Sequence, residues 1–290
     1  MYIILYTYKV FFILLFLLLI IFILKIKFVF SYKTIIKLNL NYKMLEFYKE
    51  PGVTPLQFIN TIKKQYPDKK ICYTARLDPM ARGKIPVLFG EECKDMYKYT
   101  NLSKTYEVTV IIGLKTDSDD VLGILEDNLP NTLDNTSILL YLYKYKYFFE
   151  IENEITITQK YHYFSTKELL SRSKSKDTDT THTHSVKLYS SKIIENGELD
   201  FKEWINECIS IIDKVDKTKD FRQKEIIEQW QNIKNTNTNM KINYITLQLH
   251  VGSGFFVRQF IRDISDALGI PLMCYDIHRI SIDYKFLEKT

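Results

Sequence analysis

Cysteine is scarce in this 290-residue chain, with four copies, Cys72, Cys93, Cys208 and Cys274, and no two of them form a C-x-x-C pair. A zinc ribbon or a disulfide framework is therefore not readable, and free thiols in a reducing compartment are the default. Alanine is almost missing, at three residues, while Ile, Lys, Asn, Tyr and Phe are abundant. That skew fits a bias in the coding nucleotides, so the 21 tyrosines and the many lysines do not themselves argue for a function. Acidic residues are absent from positions 1–43, which hold six lysines, and this stretch accounts for the formal charge of +5; residues 44–290 come to −1. Overall basicity is thus no argument for nucleic acid, and any phosphate contact must come from local clusters.

What the chain does have is 46% apolar residues, enough for a substantial core in one large domain or two small ones. Residues 10–24 are an unbroken apolar run followed by Lys25, Lys27, Lys33, Lys37 and Lys43. A run of about 20 such residues spans a bilayer as a helix, and the trailing lysines would keep the rest on the cytosolic side. No small-residue cleavage site follows, which argues against a removed signal peptide. The competing reading starts the functional protein at Met44 and treats 1–43 as an extension outside the catalytic domain, 44–290.

The remainder reads as strands and amphipathic helices. Leu45–Tyr48 is a short strand, and a helix runs over Thr54–Tyr66 with Pro55 in its first turn. Ser103–Gly113 and Ile242–Val251 alternate as strands. Phe201–Lys217, Phe221–Ile233 and a segment from Val257 to a cap at Gly269 have helical periodicity. Residues around 171–186 are polar and of low complexity, and predict a loop. The pair His182 and His184 in that tract lacks a third fixed ligand and does not make a metal site. Asp117-Ser118-Asp119-Asp120 is acid-rich, yet the position where a calcium loop needs glutamate is Asn128, so a hydrogen-bonded turn is expected.

The most informative stretch is Thr74-Ala75-Arg76-Leu77-Asp78-Pro79-Met80-Ala81-Arg82-Gly83. Pro79 has no N–H and pushes Asp78 out of the helical region, so an irregular segment presents the carboxylate. Taken alone this is also an ordinary Asp-Pro turn. The stretch resembles the Thr-x-x-Leu-Asp-Pro-x-Ala-x-Gly motif of the TruB-type pseudouridine synthases, which isomerise a uridine in the T-loop of tRNA. Three further segments are similar to family motifs, in order. Lys104-Thr105-Tyr106-Glu107-Val108 resembles Lys-x-Tyr-x-Val. Ser253-Gly254-Phe255-Phe256-Val257-Arg258 lies in a block similar to Ser-x-Gly-x-Tyr-x-Arg, and Asp276-Ile277-His278-Arg279-Ile280 is similar to the Leu-Arg-Arg-Leu strand. Lys49-Glu50-Pro51-Gly52 matches Lys-x-Pro-x-Gly with one residue missing.

The resemblance implies an α+β pseudouridine synthase fold, a central, mostly antiparallel mixed sheet flanked by helices and loops. It implies Asp78 as the catalytic carboxylate paired with Arg258, Tyr106 and Tyr73 as rings able to stack on a flipped base, and Phe256 and Ile277 beside that base. Burial disfavours an ionised carboxylate, and a cation within about 4–6 Å restores it, which is the physical case for the pair. The family needs no cofactor and acts on tRNA; a cytoplasmic monomer is expected. Three departures stand out. Tyr73 replaces the family histidine, Phe256 lacks the family tyrosine's hydroxyl, and the small C-terminal RNA-binding domain of many members is expected to be absent. Competing readings are an RNA-binding, tRNA-chaperone protein of the same fold without activity, and a pseudouridine synthase for another RNA, since Arg76-Leu77-Asp78 also resembles the ribosomal-RNA enzymes.

Overall fold

The computed structural model describes residues 44–126, 144, 146–160, 183–236 and 240–284. The stretch 1–43 with its apolar run 10–24, and residues 171–182 of the low-complexity tract with His182, lie outside the described residues. Among those described, no helix is long and apolar enough to cross a membrane.

Eight strands form one mixed sheet: β1 (Met44–Lys49), β2 (Ile71–Tyr73), β3 (Arg82–Phe89), β4 (Lys104–Ile112), β5 (Ile155–Lys160), β6 (Thr183–Asp200), β7 (Lys241–Val251) and β8 (Leu272–Ile282). Their order is β1-β3-β8-β4-β7-β6-β5, with β2 added to β3. Every pairing is antiparallel except β3 with β8, which is parallel and only two residue pairs long, Arg82↔His278 and Gly83↔Arg279. The expected α+β architecture is therefore present.

The second edge of β3 is divided. Its first residues pair with β8, its last three pair with β2 (Tyr73↔Val87 to Ile71↔Phe89), and residues 84–86 between them have no strand on that side. The loop 74–81 leaves the sheet at this gap.

Helices cover both faces. On the first, α1 (Pro55–Gln65) and, near the end of the chain, α6 (Val257–Leu268) set Phe58, Ile59, Ile62, Phe260, Ile261 and Ile264 against Val108, Val110 and Cys274. Thr54 caps α1 in a reciprocal box with Gln57, and Pro55 opens it where its missing N–H costs nothing. Gly269 ends α6 at φ 66°, a left-handed turn that glycine takes without strain. On the second face, α4 (Phe201–Ile212) and α5 (Gln223–Thr236) bury Trp204, Ile205, Cys208, Ile226 and Trp230 against Ile111, Ile242 and Met273. Two short helices, α2 (Met96–Thr100) and α3 (Lys146–Phe149), lie in connections.

The loop expected around 171–186 is shorter at its end than predicted. Thr183–Val186 already belong to β6 and pair with Ile157–Lys160 of β5. Within this edge, the His184 ring lies 2.9 Å from the Gly254 carbonyl oxygen and packs edge-on against Phe256, at 5.2 Å.

Candidate active site

Asp78 stands on the loop that bridges β2 and β3. Leaving the sheet strands the loop's carbonyls without ladder partners, and two buried cations take them up. Lys49, with no exposed surface, sends its ammonium to the oxygens of Ala81 (2.6 Å), Glu50 (3.1 Å) and Pro79 (3.2 Å). Arg279, 1% exposed, donates from Nε to Lys84 O (2.7 Å) and from Nη1 to Arg76 O (3.3 Å). The two cations hold opposite flanks of Asp78. Burial pushes Lys49 down to about 7, and the Asp78 carboxylate works in the other direction.

The Gly52 amide adds a bond to Pro79 O (2.8 Å) from a backbone at φ +81°. A side chain there would meet the Ile211 oxygen at 2.7 Å, so the glycine serves both the turn and the close approach to α4. Ala81 N closes the Pro79–Met80 turn on Asp78 O at 3.0 Å. Leu77, Met80 and Ala81 are buried, while the Asp78 side chain is 47% exposed. The apolar neighbours anchor the loop and the carboxylate faces out.

Arg258, in the first turn of α6, reaches across 180 positions to meet it. Its Nε and Nη2 both fall on Oδ2 of Asp78 at 2.9 Å, and among the described residues nothing bonds to Oδ1. One oxygen is fixed and one is free for a ligand. Nη1 donates to Ser118 O (2.8 Å) and lies 3.6 Å from Asp120 Oδ2. Burial opposes the guanidinium's charge, but Asp78 and Asp120 outweigh it, so the pKa of Arg258 rises.

One helical turn further on, Arg262 Nε holds both oxygens of Asp119 (2.9 and 2.7 Å) and Nη2 reaches Asp117 O at 3.2 Å. Asp119 is fully buried at φ 58°, and its own carbonyl accepts from Cys274 N of β8 at 2.9 Å. Burial raises it to about 6 against the pull of Arg262. Burial raises Asp120 too, offset in part by Arg258, the Ser118 hydroxyl (2.7 Å) and Leu122 N (2.9 Å). Asp117 takes both Arg222 nitrogens of the α5 side, at 2.6 and 3.1 Å. The acidic turn expected from sequence is indeed hydrogen-bonded, and its carboxylates are the counter-charges of three arginines.

Of the other residues singled out, Tyr106 and Ile277 are buried in the same apolar cluster as Leu77, and Tyr73 packs against it half-buried. Tyr106 pairs with Arg279 across β4 and β8, and Ile277 pairs with Val108. Phe256 is 39% exposed at the start of α6, where Gln159 brackets its backbone N–H (2.8 Å) and carbonyl (3.0 Å). Sequence reasoning passed over Arg279 and the acids that hold Arg258 and Arg262. The available signal was the spacing of those two arginines, four apart and so on one helix face, with a compact acidic segment to receive them. Among the described residues no group of three or more His, Cys, Asp or Glu converges as a metal site.

Comparison with known proteins finds a likeness over part of the chain. Residues 63–148 match the model of the TruB family pseudouridylate synthase (N terminal domain). The tRNA pseudouridine synthase B of Blochmanniella floridana is 38% identical over 77 residues, 27% of this chain and 30% of that protein. The enzyme of the same name from Acholeplasma laidlawii is 32% identical over 82 residues, 28% of this chain and 29% of that protein. The chain thus spans about 30% of the length of these curated relatives. A solved Cbf5-Nop10-Gar1 complex superposes on 82% of this chain and 48% of its own at 13% identity and a TM-score of 0.45. Residues 63–148, the stretch that carries Tyr73, Asp78 and Tyr106, are related by sequence to the TruB family of pseudouridylate synthases.

Proposed function

We propose that this protein isomerises uridine to pseudouridine in tRNA, with a T-loop uridine as the target and Asp78 as the catalytic residue. One observation carries the reading. A half-exposed carboxylate has one oxygen locked by a guanidinium from the far end of the chain and the other open to a ligand. The reaction exchanges a ribose–nitrogen bond for a ribose–carbon bond; the base loses a hydrogen at the new carbon attachment and gains one at the freed nitrogen. No electrons are gained or lost overall, so an ionised carboxylate able to hold a proton in passing is the group required. Arg258 holds the Asp78 carboxylate in place, and Asp120 behind it holds Arg258.

Unstacking the uridine costs a few kcal/mol, which aromatic faces return in part. Tyr106 and Tyr73 take that role, Ile277 packs against the base, and Phe256 offers a ring without a hydroxyl at the start of α6. The protein acts as a cytosolic monomer and without a cofactor in this reading.

Incubation of purified protein with unmodified tRNA, followed by pseudouridine mapping, tests it. The wild type is expected to convert one uridine and Asp78→Asn to convert none while still binding the RNA. Conversion by Asp78→Asn overturns the role of the carboxylate. Binding and refolding of tRNA by the wild type with no pseudouridine formed establishes a chaperone instead.

A further inference from the structure

Two of the four cysteines, Cys208 and Cys274, are buried in the core; the other two, Cys72 and Cys93, are partly exposed. They lie 21 positions apart and in no motif, yet the fold brings them together. Cys72 is the middle residue of β2 and stands opposite Leu88 of β3. After β3, Gly90 turns the chain at φ 62° and its amide bonds back to Lys70 O at 2.8 Å. The 3-10 turn Gly90–Asp95 that follows places Cys93 Sγ 3.4 Å from the carbonyl oxygen of Leu88, the residue facing Cys72, and 3.9 Å from Lys70 O. Both cysteines thus gather at Leu88, Cys72 opposite it across the ladder and Cys93 donating to its carbonyl oxygen.

We propose that Cys72 and Cys93 are a modification site, a dithiol that hydroperoxides convert into an intrachain disulfide. In the first step the Cys93 thiolate attacks a peroxide oxygen, the O–O bond breaks, and a sulfenic acid and hydroxide form. In the second, the Cys72 sulfur attacks the sulfenic sulfur, the S–O bond breaks and water leaves. Two thiols lose two electrons, which the peroxide accepts. Burial holds the Cys72 thiol protonated, up to about 12, which slows it as a nucleophile; Cys93 is therefore the sulfur that meets the peroxide, and the Cys72 proton leaves with the hydroxide as water when the bridge closes.

Closure joins the two sulfurs by a bond of about 2.05 Å. The elements that move are a three-residue strand pairing with β3 alone and a single 3-10 turn, both cheap to displace. The ring so closed runs from Cys72 to Cys93 and encloses all of β3 and the Asp78 loop, so oxidation marks the segment that holds the candidate active site.

The test treats the full chain, dilute and fully reduced, with hydrogen peroxide and maps peptides without reduction. The expected product is a Cys72–Cys93 bridge that lacks two hydrogens and reverts with dithiothreitol, with Cys208 and Cys274 unchanged. Oxidised wild type is also expected to unfold at higher urea concentration than reduced wild type, a shift absent from Cys72→Ser and Cys93→Ser. A bridge between two chains, Cys93 advancing to sulfinic acid while Cys72 stays a thiol, or both thiols surviving peroxide that oxidises free cysteine in the same tube would each overturn the proposal. Neither readout measures uridine conversion, so the dithiol and the catalytic reading succeed or fail separately.

Discussion

At the scale of single residues, the site depends on how Arg258 divides its donors. Nε and Nη2 serve Asp78 while Nη1 serves Ser118 O, a fork that an ammonium cannot imitate. Arg258→Lys is therefore expected to lower the rate of uridine conversion by roughly 100-fold or more with the fold intact, checked by single-turnover assay beside circular dichroism. Asp119 supplies a pH dependence. Its carboxyl is raised from 3.8 to about 6, so the folded protein binds that proton more tightly than the unfolded chain. The stability it contributes is complete below 3.8 and lost as pH rises through about 6. Activity should run the other way, because protonation removes the charge that Arg262 grips. Between pH 4 and 6, relative to Asp119→Asn, the wild type should gain urea stability as its conversion rate falls. Asp78 and Arg258 were legible because each sits in a punctuated segment, one fixed by proline and the other following a glycine turn. Lys49 and Arg279 were not legible as buried. A lysine or arginine in an alternating strand reads as solvent-facing until the loop whose carbonyls it satisfies is known.

At the scale of elements, helices with an apolar stripe and a cap could be read directly, as the spans of α1 and α6 show. The eighteen-residue β6 could not. Register shifts between Leu188 and Ser190 and between Ile193 and Glu195 break its alternation, and much of its length is solvent-facing. The tightest element junction is β3 against β8. Gly83 has φ +125°, and a Cβ there would lie 2.3 Å from the Arg279 carbonyl oxygen. Gly83→Ala is expected to cost more than about 2 kcal/mol, because backbone must shift on both strands. Urea denaturation measures this. The conversion rate should fall with it, since Arg279 pins the Asp78 loop from that strand.

At the scale of the whole molecule, the layer behind the sheet is tied to the site in front. The Trp230 indole of α5 donates to Val121 O at 3.3 Å, in the same segment that presents Ser118 and Asp120 to Arg258. Trp230→Phe leaves that buried carbonyl without its donor, and should destabilise the protein by about 1–3 kcal/mol in thermal or urea unfolding. The divided edge of β3 also bears on synthesis. One bank of the gap comes from β2, made early, and the other from β8, made last, with α6 and its arginine just before. A nascent chain on the ribosome carries Asp78 long before it carries the arginine that fixes its carboxylate. On the proposed reading no uridine is converted before α6 has emerged, and the growing polypeptide is kept from acting on the tRNAs crowded around its own birthplace.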